Sequence, residues 1–344
     1  MNKVKILPND KPFIIAEMSG NHNQSIDRAL QIVKAVAETG ADALKMQTYT
    51  PDSITIDCRG GLFDINDKNS LWYGRNLYEL YGEAMTPYEW HKQIFDCAKD
   101  LGLECFSTPF DEEAVDMLDD LGVKRFKVAS FENNHYPLLK KIAKMGKPVI
   151  MSTGVTELSE LAGTVEFLRK NNCTDLVLLK CTSTYPASPE NSNLLTIPHM
   201  KKLFNCEIGL SDHTMGIGTS IAAVALGATV IEKHFCLSRA EGGVDSAFSM
   251  EPHEFKMLVE ETTRAWQSLG SIQYGILEAE KNSVNYKRSI YIVEDIKAGE
   301  FFTKENLKVI RPGDGMHPRY YDSVLGKKAL YDISRGTPLS FDML

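Results

Sequence analysis

Short apolar runs rich in β-branched residues alternate with amphipathic stretches along the first 270 residues. Between the runs, apolar residues recur at helical spacing, as in the stripe from Ile26 to Ala37. Eight strand–helix units in succession predict a (β/α)8 barrel, an α/β fold, with a doubly wound open sheet as the alternative. The barrel is favoured because no glycine fingerprint follows the first run. The predicted strands are Phe13–Met18, Ala43–Thr48, Leu103–Ser107, Arg125–Ala129, Pro148–Ser152, Leu176–Cys181, Cys206–Leu210 and Thr229–His234.

The connection after the second predicted strand is much longer than the others. It contains Gly60–Phe63 and the aromatic run Leu71–Tyr73, and it ends where Thr86 is predicted to open a helix. Thr86 would be the N-cap of a capping box, with Pro87 at the first helical position. Long connections of this kind in barrels often form lids or substrate loops, and an extra helix or hairpin packed on the rim is the alternative.

The chain changes character after residue 270. The segment that begins at Asp295, DIKAGEFFT, recurs from Asp332 as DISRGTPLS. Two such turns predict a small, pseudo-symmetric, loop-rich domain that depends on the barrel or on a partner subunit for its stability. We expect a barrel domain over residues 1–270, a linker over 271–286 and a second domain over 287–344.

Charge and composition exclude several classes of function. The 344 residues are 43% apolar and 24% charged, and the net charge is −8 without a long basic run. Nucleic acid and anionic membranes both require a cationic surface, so neither is an expected partner. The sequence shows no stretch resembling a signal peptide or a membrane span, and its seven scattered cysteines form no CxxC pair. We therefore expect a cytoplasmic protein.

Every predicted strand ends in polar residues, and the carboxyl ends of barrel strands are where active sites form. Alternation supports inward pointing, since Lys45 and Gln47 alternate with Leu44 and Met46. A barrel built for stability alone would not gather carboxylates, imidazoles and lysines on one face. The polar residues are Glu17, Lys45, Gln47, Ser107, Thr108, Lys127, Ser130, Ser152, Thr153, Lys180, Thr182, Ser211, His213, Glu232 and His234.

His213 and His234 end consecutive predicted strands, so their imidazoles are expected to converge. Neutral imidazole is a common ligand of divalent metals, and two histidines leave coordination positions open for a Lewis acid. The alternative is that each histidine only donates a hydrogen bond.

Lys45, Lys127 and the hydroxyls of neighbouring strand ends predict a cradle for a phosphate or carboxylate. The alternative for each lysine is an ion pair with a nearby acid. Glu17 is a candidate general base or sugar ligand, or a carboxylate that orients another group. The residues alone therefore indicate a barrel enzyme with an anionic ligand and a divalent metal.

These residues lie in motifs that, taken in order, resemble those of the sialic acid synthase family. The resemblance spans essentially the whole chain, and the segment from Lys287, with Arg311-Pro312-Gly313, is similar to the family's antifreeze-protein-like (SAF) domain. The motifs are Ile15–Glu17, Asn21–His22, Lys45–Thr48, Ser107–Phe110, Phe126–Ser130, Ser152–Gly154, Cys181–Pro186, Gly209–Thr214 and Ile231–Phe235.

The resemblance implies a role for each site residue. His213 and His234 would bind a divalent cation (manganese, magnesium or cobalt), and no organic cofactor is expected. Glu17, Glu132 and Tyr185 would hold an amino sugar, with Arg311 contributed by the partner subunit of a domain-swapped homodimer. The residues implied for phosphoenolpyruvate are Lys45, Thr108, Lys127, Ser130, Ser152, Ser183 and Ser211.

Within the family, the segments Tyr49–Ser53, Gly60–Phe63 and Leu77–His91 are most similar to the branch that makes pseudaminic acid, used in flagellin glycosylation. The implied reaction joins phosphoenolpyruvate to 2,4-diacetamido-2,4,6-trideoxy-L-altrose and water and releases phosphate by C–O cleavage, with the metal polarising the sugar aldehyde. N-acetylneuraminate and legionaminate synthases are the alternatives within the family. A Schiff-base pyruvate aldolase using Lys180 and a non-catalytic sugar-binding protein are the alternatives outside it.

Overall fold

The computed structural model describes residues 11–344. Residues 1–10, which include part of the predicted barrel domain and of the segment searched for a signal peptide, lie outside the described residues. The chain divides into two compact units, and the division falls between Gly270 and Ser271.

The first unit is a parallel eight-stranded barrel, as predicted. In the hydrogen-bonded order β3-β2-β1-β8-β7-β6-β5-β4, strands adjacent in sequence are adjacent in space, which excludes a doubly wound sheet. Strands β3 and β4, at the two ends of this order, also lie in contact and so close the barrel. The eight strands match the predicted ones to within two residues: β1 Phe13–Glu17, β2 Ala43–Thr48, β3 Glu104–Pro109, β4 Phe126–Val128, β5 Val149–Ser152, β6 Leu176–Cys181, β7 Glu207–Ser211 and β8 Val230–His234.

Helices cover the barrel through their apolar faces. The first begins at Ile26, where the side chain of Ser25 caps the backbone N–H of Arg28, and buries Ile32, Val33 and Val36 on one face. The helices of this unit are α1 Ile26–Thr39, α2 Pro51–Ile54, α3 Leu77–Ala84, α4 His91–Asp100, α5 Glu112–Asp120, α6 Tyr136–Lys144, α7 Leu158–Lys170, α8 Thr196–Phe204, α9 Gly218–Ala225 and α10 Pro252–Leu269.

The predicted capping box at Thr86 is wrong. The chain enters α4 through a 3-10 turn over Tyr88–Trp90, and Pro87 precedes that turn. The Thr86 hydroxyl lies 3.2 Å from Nε2 of buried His22 and caps no helix. A tertiary contact has therefore taken the hydroxyl that the local pattern assigned to the helix.

The long connection after β2 is folded. It contains α2, α3 and an isolated antiparallel bridge between Asp64 and Asn76. The Asn76 side chain donates to the carbonyls of Cys58 and Phe63 and to Asp64. The alternative of extra helices on the rim is thus correct, and the segment also lines a cavity beside the strand ends.

In the second unit the two sequence repeats pair with each other. Strands β9 Ser289–Ile292 and β10 Leu307–Ile310 are antiparallel, and α11 spans Tyr321–Val324. Asp295 accepts a 2.7 Å hydrogen bond from the backbone N–H of Arg335. Asp332 reciprocates by accepting from the N–H of Ala298 at 2.9 Å, which gives the predicted pseudo-symmetry.

Part of the predicted linker is ordered within this unit. Glu278–Tyr286 form a 3-10 helix, and the carbonyl of Asn285 accepts from the N–H of Gly313 at 3.0 Å.

Across residues 11–344, no helix combines the length and the apolar character needed to cross a bilayer.

Candidate active site

Two lysines and two glutamates form a buried charge network at the carboxyl ends of the strands. Parallel pairing sets Glu17 opposite Lys45, and the Lys45 Nζ lies 2.7 Å from Glu17 Oε2. Glu232 Oε1 lies 3.6 Å from the Lys45 Nζ and 3.7 Å from the Lys127 Nζ. All four side chains are almost completely shielded from solvent. Lys45 and Glu232 point inward as alternation predicts, and Lys127 lies in the same buried cluster.

The charges of this network depend on one another. Burial opposes the ionisation of Glu232, but Lys127 and Lys45 together hold the pKa of its carboxyl below the usual value. Burial would lower the pKa of Lys45, but Glu17 and Glu232 raise it. Burial raises the pKa of Glu17 and lowers that of Lys127. An ionised Glu232 thus lies within reach of the Nζ atoms of both lysines at the rim of the barrel.

Three predicted hydroxyl groups contact this network directly. Lys45 donates to Thr108 at 3.2 Å, and Lys127 donates to Ser152 at 2.7 Å. Ser211 donates to Glu232 at 3.4 Å. The structure therefore gathers these hydroxyls and the lysines into one cluster.

Two further predicted serines face Gly154. Ser130 Oγ accepts the Gly154 N–H at 3.1 Å. A Cβ added at Gly154 would lie 2.2 Å from Ser183 Oγ and 2.8 Å from Ser130 Oγ. Only glycine leaves space for both hydroxyls, and we call Ser130, Gly154 and Ser183 together the recess.

His213 and His234 converge, as predicted. Their ring centroids are 5.4 Å apart. His213 Nδ1 lies 3.0 Å from the Thr182 carbonyl, an arrangement that fixes the tautomer with Nε2 free to accept. His234 Nδ1 is buried without a hydrogen-bond partner, and burial keeps the pKa of His234 well below its ordinary value.

The loop that carries His213 is held by a buried ion pair. Lys233 Nζ lies 2.9 Å from Asp212, and Asp212 also accepts hydrogen bonds from Thr214 and Ser220. The backbone position of His213 is therefore fixed by Lys233 of β8 as well as by β7, the strand that precedes it.

The two histidines fit a divalent cation that takes its remaining ligands from water and substrate. Both rings are shielded, and the orphaned Nδ1 of His234 is a buried donor or acceptor that a ligand would satisfy. In the part of the chain that the structure describes, no cluster of three or more His, Cys, Asp or Glu forms a metal site by itself. Metal binding stays a prediction.

Glu132 and Tyr185 line a cavity of about 550 Å³ that reaches His234. Tyr185 packs on both histidines, with ring centroids 4.5 Å from His213 and 6.5 Å from His234. Oε2 of Glu132 is buried without a hydrogen-bond partner, and burial raises the pKa of its carboxyl to about 7. These two predicted sugar contacts therefore open onto one space.

Sequence reasoning missed Ser19 and Asp245, which line the same cavity. Their side chains hydrogen-bond to each other, and Asp245 Oδ2 lies 4.0 Å from His234 Nδ1. Gln47, noted at a strand end but given no role, donates to Glu17 at 3.0 Å and to Ser19 at 3.1 Å. The glycine pair Gly242-Gly243 before Asp245 was the available signal for a functional loop after the last strand.

Two further residues named from the sequence are Arg311 and Lys180. Arg311 is exposed and follows β10 in the second unit, ahead of a cis peptide bond to Pro312. Lys180 precedes Cys181 on β6, and Cys181 faces His213 at 4.0 Å. Alternation therefore directs Lys180 to the other face, where it donates to the Cys181 carbonyl and to Thr182.

The comparisons with known proteins agree with this geometry. The NeuB family model matches residues 32–274, and the SAF domain model matches residues 287–344. The chain belongs to the NeuB family. Membership confirms both the predicted resemblance to sialic acid synthases and the barrel with its carboxy-terminal SAF domain.

Two relatives from one Campylobacter jejuni strain differ in their sequence identity to this chain. The chain is 46% identical over 329 residues to the pseudaminic acid synthase of Campylobacter jejuni subsp. jejuni serotype O:2, covering 96% of this chain and 95% of that one. It is 37% identical to the N,N'-diacetyllegionaminic acid synthase of the same strain, covering 93% and 96%.

Among solved structures, the N-acetylneuraminic acid synthetase of Leptospira borgpetersenii serovar Hardjo-bovis matches with a TM-score of 0.70 and 30% identity. That match covers 80% of this chain and 91% of the other.

Proposed function

We propose that this protein is a pseudaminic acid synthase. It condenses phosphoenolpyruvate with 2,4-diacetamido-2,4,6-trideoxy-L-altrose and water and releases phosphate. The observation that carries the reaction class is the pair of buried ammonium groups held by Glu232 beside two converging histidines. The greater identity to the pseudaminic than to the legionaminic acid synthase of one strain supports the sugar.

The lysines and hydroxyls are suited to the trianionic phosphoenolpyruvate. Lys45 and Lys127, with Ser152 and the recess at Gly154, offer short charge-assisted hydrogen bonds in a site closed to bulk water. These groups can stabilise negative charge that accumulates as phosphate leaves. The reaction forms a bond from carbon 3 of phosphoenolpyruvate to the aldehyde carbon and adds water at carbon 2. The bond from carbon 2 to the bridging oxygen breaks, and that oxygen leaves in the phosphate.

A divalent cation held by His213 and His234 would polarise the sugar aldehyde. The Glu132 carboxyl is partly protonated near neutral pH, because burial raises its pKa to about 7. It is therefore suited to exchange a proton with the sugar or with the attacking water. Tyr185, which packs against both histidine rings, orients the sugar at this end of the cavity.

The quaternary arrangement belongs to the same proposal. A domain-swapped homodimer in the cytoplasm would bring Arg311 of one subunit to the sugar of the other. Mixing Arg311→Ala with His213→Ala protein should then restore activity through mixed dimers, each of which has one of its two sites intact. Absence of restoration, with a dimer seen by light scattering, would contradict the contribution of Arg311.

The reaction class is tested with phosphoenolpyruvate that carries ¹⁸O in the bridging position. C–O cleavage predicts that the released phosphate keeps the label. Phosphate without label would contradict the proposal, and a Schiff-base aldolase would instead be inactivated by borohydride with pyruvate. The outward direction of Lys180 argues against that aldolase.

A further inference from the structure

The cavity beside His234 has two chemically different sides. The side nearest the strand ends is polar, since Gln47 donates to Ser19 at 3.1 Å and Ser19 hydrogen-bonds to Asp245. His234 lies next to this group, with its Nδ1 atom 4.0 Å from Asp245. A substrate group that reacts beside His234 therefore meets donors and acceptors.

Another part of the lining comes from the long connection after β2 and is mostly apolar. Ile54 ends α2, and Leu77 and Leu80 lie on α3. Ile65 adjoins the bridge between Asp64 and Asn76, which fixes this part of the connection. We call Ile54, Ile65, Trp72, Leu77 and Leu80 the apolar wall; all five line the cavity.

Trp72 joins the wall to the loop after β8. Its indole N–H donates to the Val244 carbonyl at 3.0 Å, and its ring lies 5.8 Å from that of Tyr185. The one polar atom of the indole is thereby used, so the ring offers only apolar surface to a ligand. The hydroxyls on this side of the cavity belong to Ser70 and Tyr81, and Ser70 accepts from the Trp72 backbone N–H at 3.2 Å.

The two sides define the orientation of a sugar, and this step rests on the proposed function. The aldehyde must lie at the polar side, because Lys45, Lys127 and the histidines lie there. The far end of the sugar then extends toward the apolar wall. We propose that the apolar wall is the specificity determinant for carbon 6, selecting a 6-deoxy sugar with a methyl group over one with a hydroxymethyl group.

The physical basis is the desolvation of a hydroxyl. A methyl group gains from burial against Ile54, Ile65, Leu77 and Leu80, whereas a hydroxyl against these side chains loses its water and finds no polar partner among them. An apolar pocket discriminates against an added hydroxyl by about 10- to 100-fold. The wall should therefore give a clear preference without excluding the hydroxylated sugar.

The test compares two substrates that differ only at carbon 6: the trideoxy-altrose derivative and its 6-hydroxy analogue. We expect kcat/KM to favour the 6-deoxy sugar by at least about 10-fold in the wild type. Leu77→Asn and Ile65→Asn supply a polar partner at half-buried positions and should each reduce that ratio several-fold. Leu62→Asn is the matched control, because Leu62 lies on the same connection, is 94% exposed and does not line the cavity.

The outcomes separate this inference from the function on which it rests. Turnover of both altrose derivatives at equal kcat/KM by the wild type would overturn the role of the apolar wall in selectivity and leave the proposed function intact. A ratio unchanged in both folded asparagine variants would overturn it as well, with folding checked by thermal unfolding. Turnover of N-acetylmannosamine in preference to both would overturn the function and the wall together.

Discussion

The Nζ atom of Lys45 lies 2.7 Å from Oε2 of Glu17, and both side chains are enclosed by the barrel. The pair arises from strand register, since β1 and β2 align these residues as direct neighbours. Glu232, aligned with Ser211 on β7, completes the arrangement from the other side of β1. Buried charges of this kind are stable only as a set, because each would otherwise lose its water without compensation.

Removing one member should therefore destabilise the whole protein. We expect Lys45→Met to lower the free energy of unfolding by about 3–5 kcal/mol, because Glu17 and Glu232 lose a partner inside the barrel. Urea unfolding measures the change. Lys92→Met is the control, since the Lys92 side chain is 75% exposed in its pair with Asp96 and such pairs contribute little. Equal unfolding midpoints for the two variants would contradict a compensated buried network.

Gly154→Ala should impair the binding of phosphoenolpyruvate. The new methyl group would lie 2.2 Å from Ser183 Oγ, so the hydroxyls of the recess must move. We expect the KM for phosphoenolpyruvate to rise about 10-fold or more, equivalent to about 1.4 kcal/mol of lost binding. Gly163→Ala is the control, because its added Cβ would have Tyr136 Oη as its nearest neighbour at 3.6 Å. An unchanged KM in Gly154→Ala would show that the recess is not part of the phosphoenolpyruvate site.

Glu132 should make stability depend on pH. Its pKa is raised by burial from 4.5 to about 7, so the folded state holds the proton more tightly than the unfolded chain. Its contribution to stability is complete below pH 4.5 and is lost as the pH rises through about 7. At pH 8 we expect Glu132→Gln to be more stable than the wild type by up to about 3 kcal/mol.

The free energies of unfolding of Glu132→Gln and the wild type in acid supply the internal comparison. Below the unfolded pKa of the glutamate, the stability gain of Glu132→Gln over the wild type should disappear. Glu38→Gln, at an exposed position on α1, is the surface control. A constant difference between Glu132→Gln and the wild type from acid to alkaline pH would show that folding does not shift the pKa of the Glu132 carboxyl.

Metal binding by His213 and His234 can be tested without measuring turnover. Titration calorimetry of chelator-treated protein with MnCl₂ should detect one site per chain. His213→Ala and His234→Ala should each weaken Mn²⁺ binding by at least about 10-fold, because each removes one of two imidazole ligands. His253→Ala should bind as the wild type does, since the His253 side chain is 72% exposed on α10. Unaltered binding in both site variants would place the metal elsewhere.

Much of the fold could be predicted because its signals are local and repeated. Apolar runs at strand spacing and stripes at helical spacing gave eight strands close to their true ends. The polar residues at those ends then converge because parallel strands in a barrel all finish on one rim. Lys45, Lys127 and the two histidines were found in this way.

The missed features depend on contacts between distant parts of the chain. Thr86 satisfies every local requirement for a helix cap, but His22 lies against it in the folded protein. Asp245 follows β8 by more than ten residues, and its side chain reaches Ser19 across the chain to line the cavity. Likewise, the sequence of the aromatic run does not indicate where the Trp72 ring points. The hydrogen bond from its indole N–H to the Val244 carbonyl fixes that direction.

The most direct test of the proposed function is phosphate release from phosphoenolpyruvate in the presence of Mn²⁺ with three sugars in parallel. These are 2,4-diacetamido-2,4,6-trideoxy-L-altrose, the manno isomer that leads to legionaminate, and N-acetylmannosamine. We predict rapid release with the altrose derivative, with kcat/KM at least about 10-fold above that for the other two. Release should be lost with chelator and in His234→Ala. Faster release with the manno isomer or with N-acetylmannosamine, or none with any sugar, would contradict the assignment.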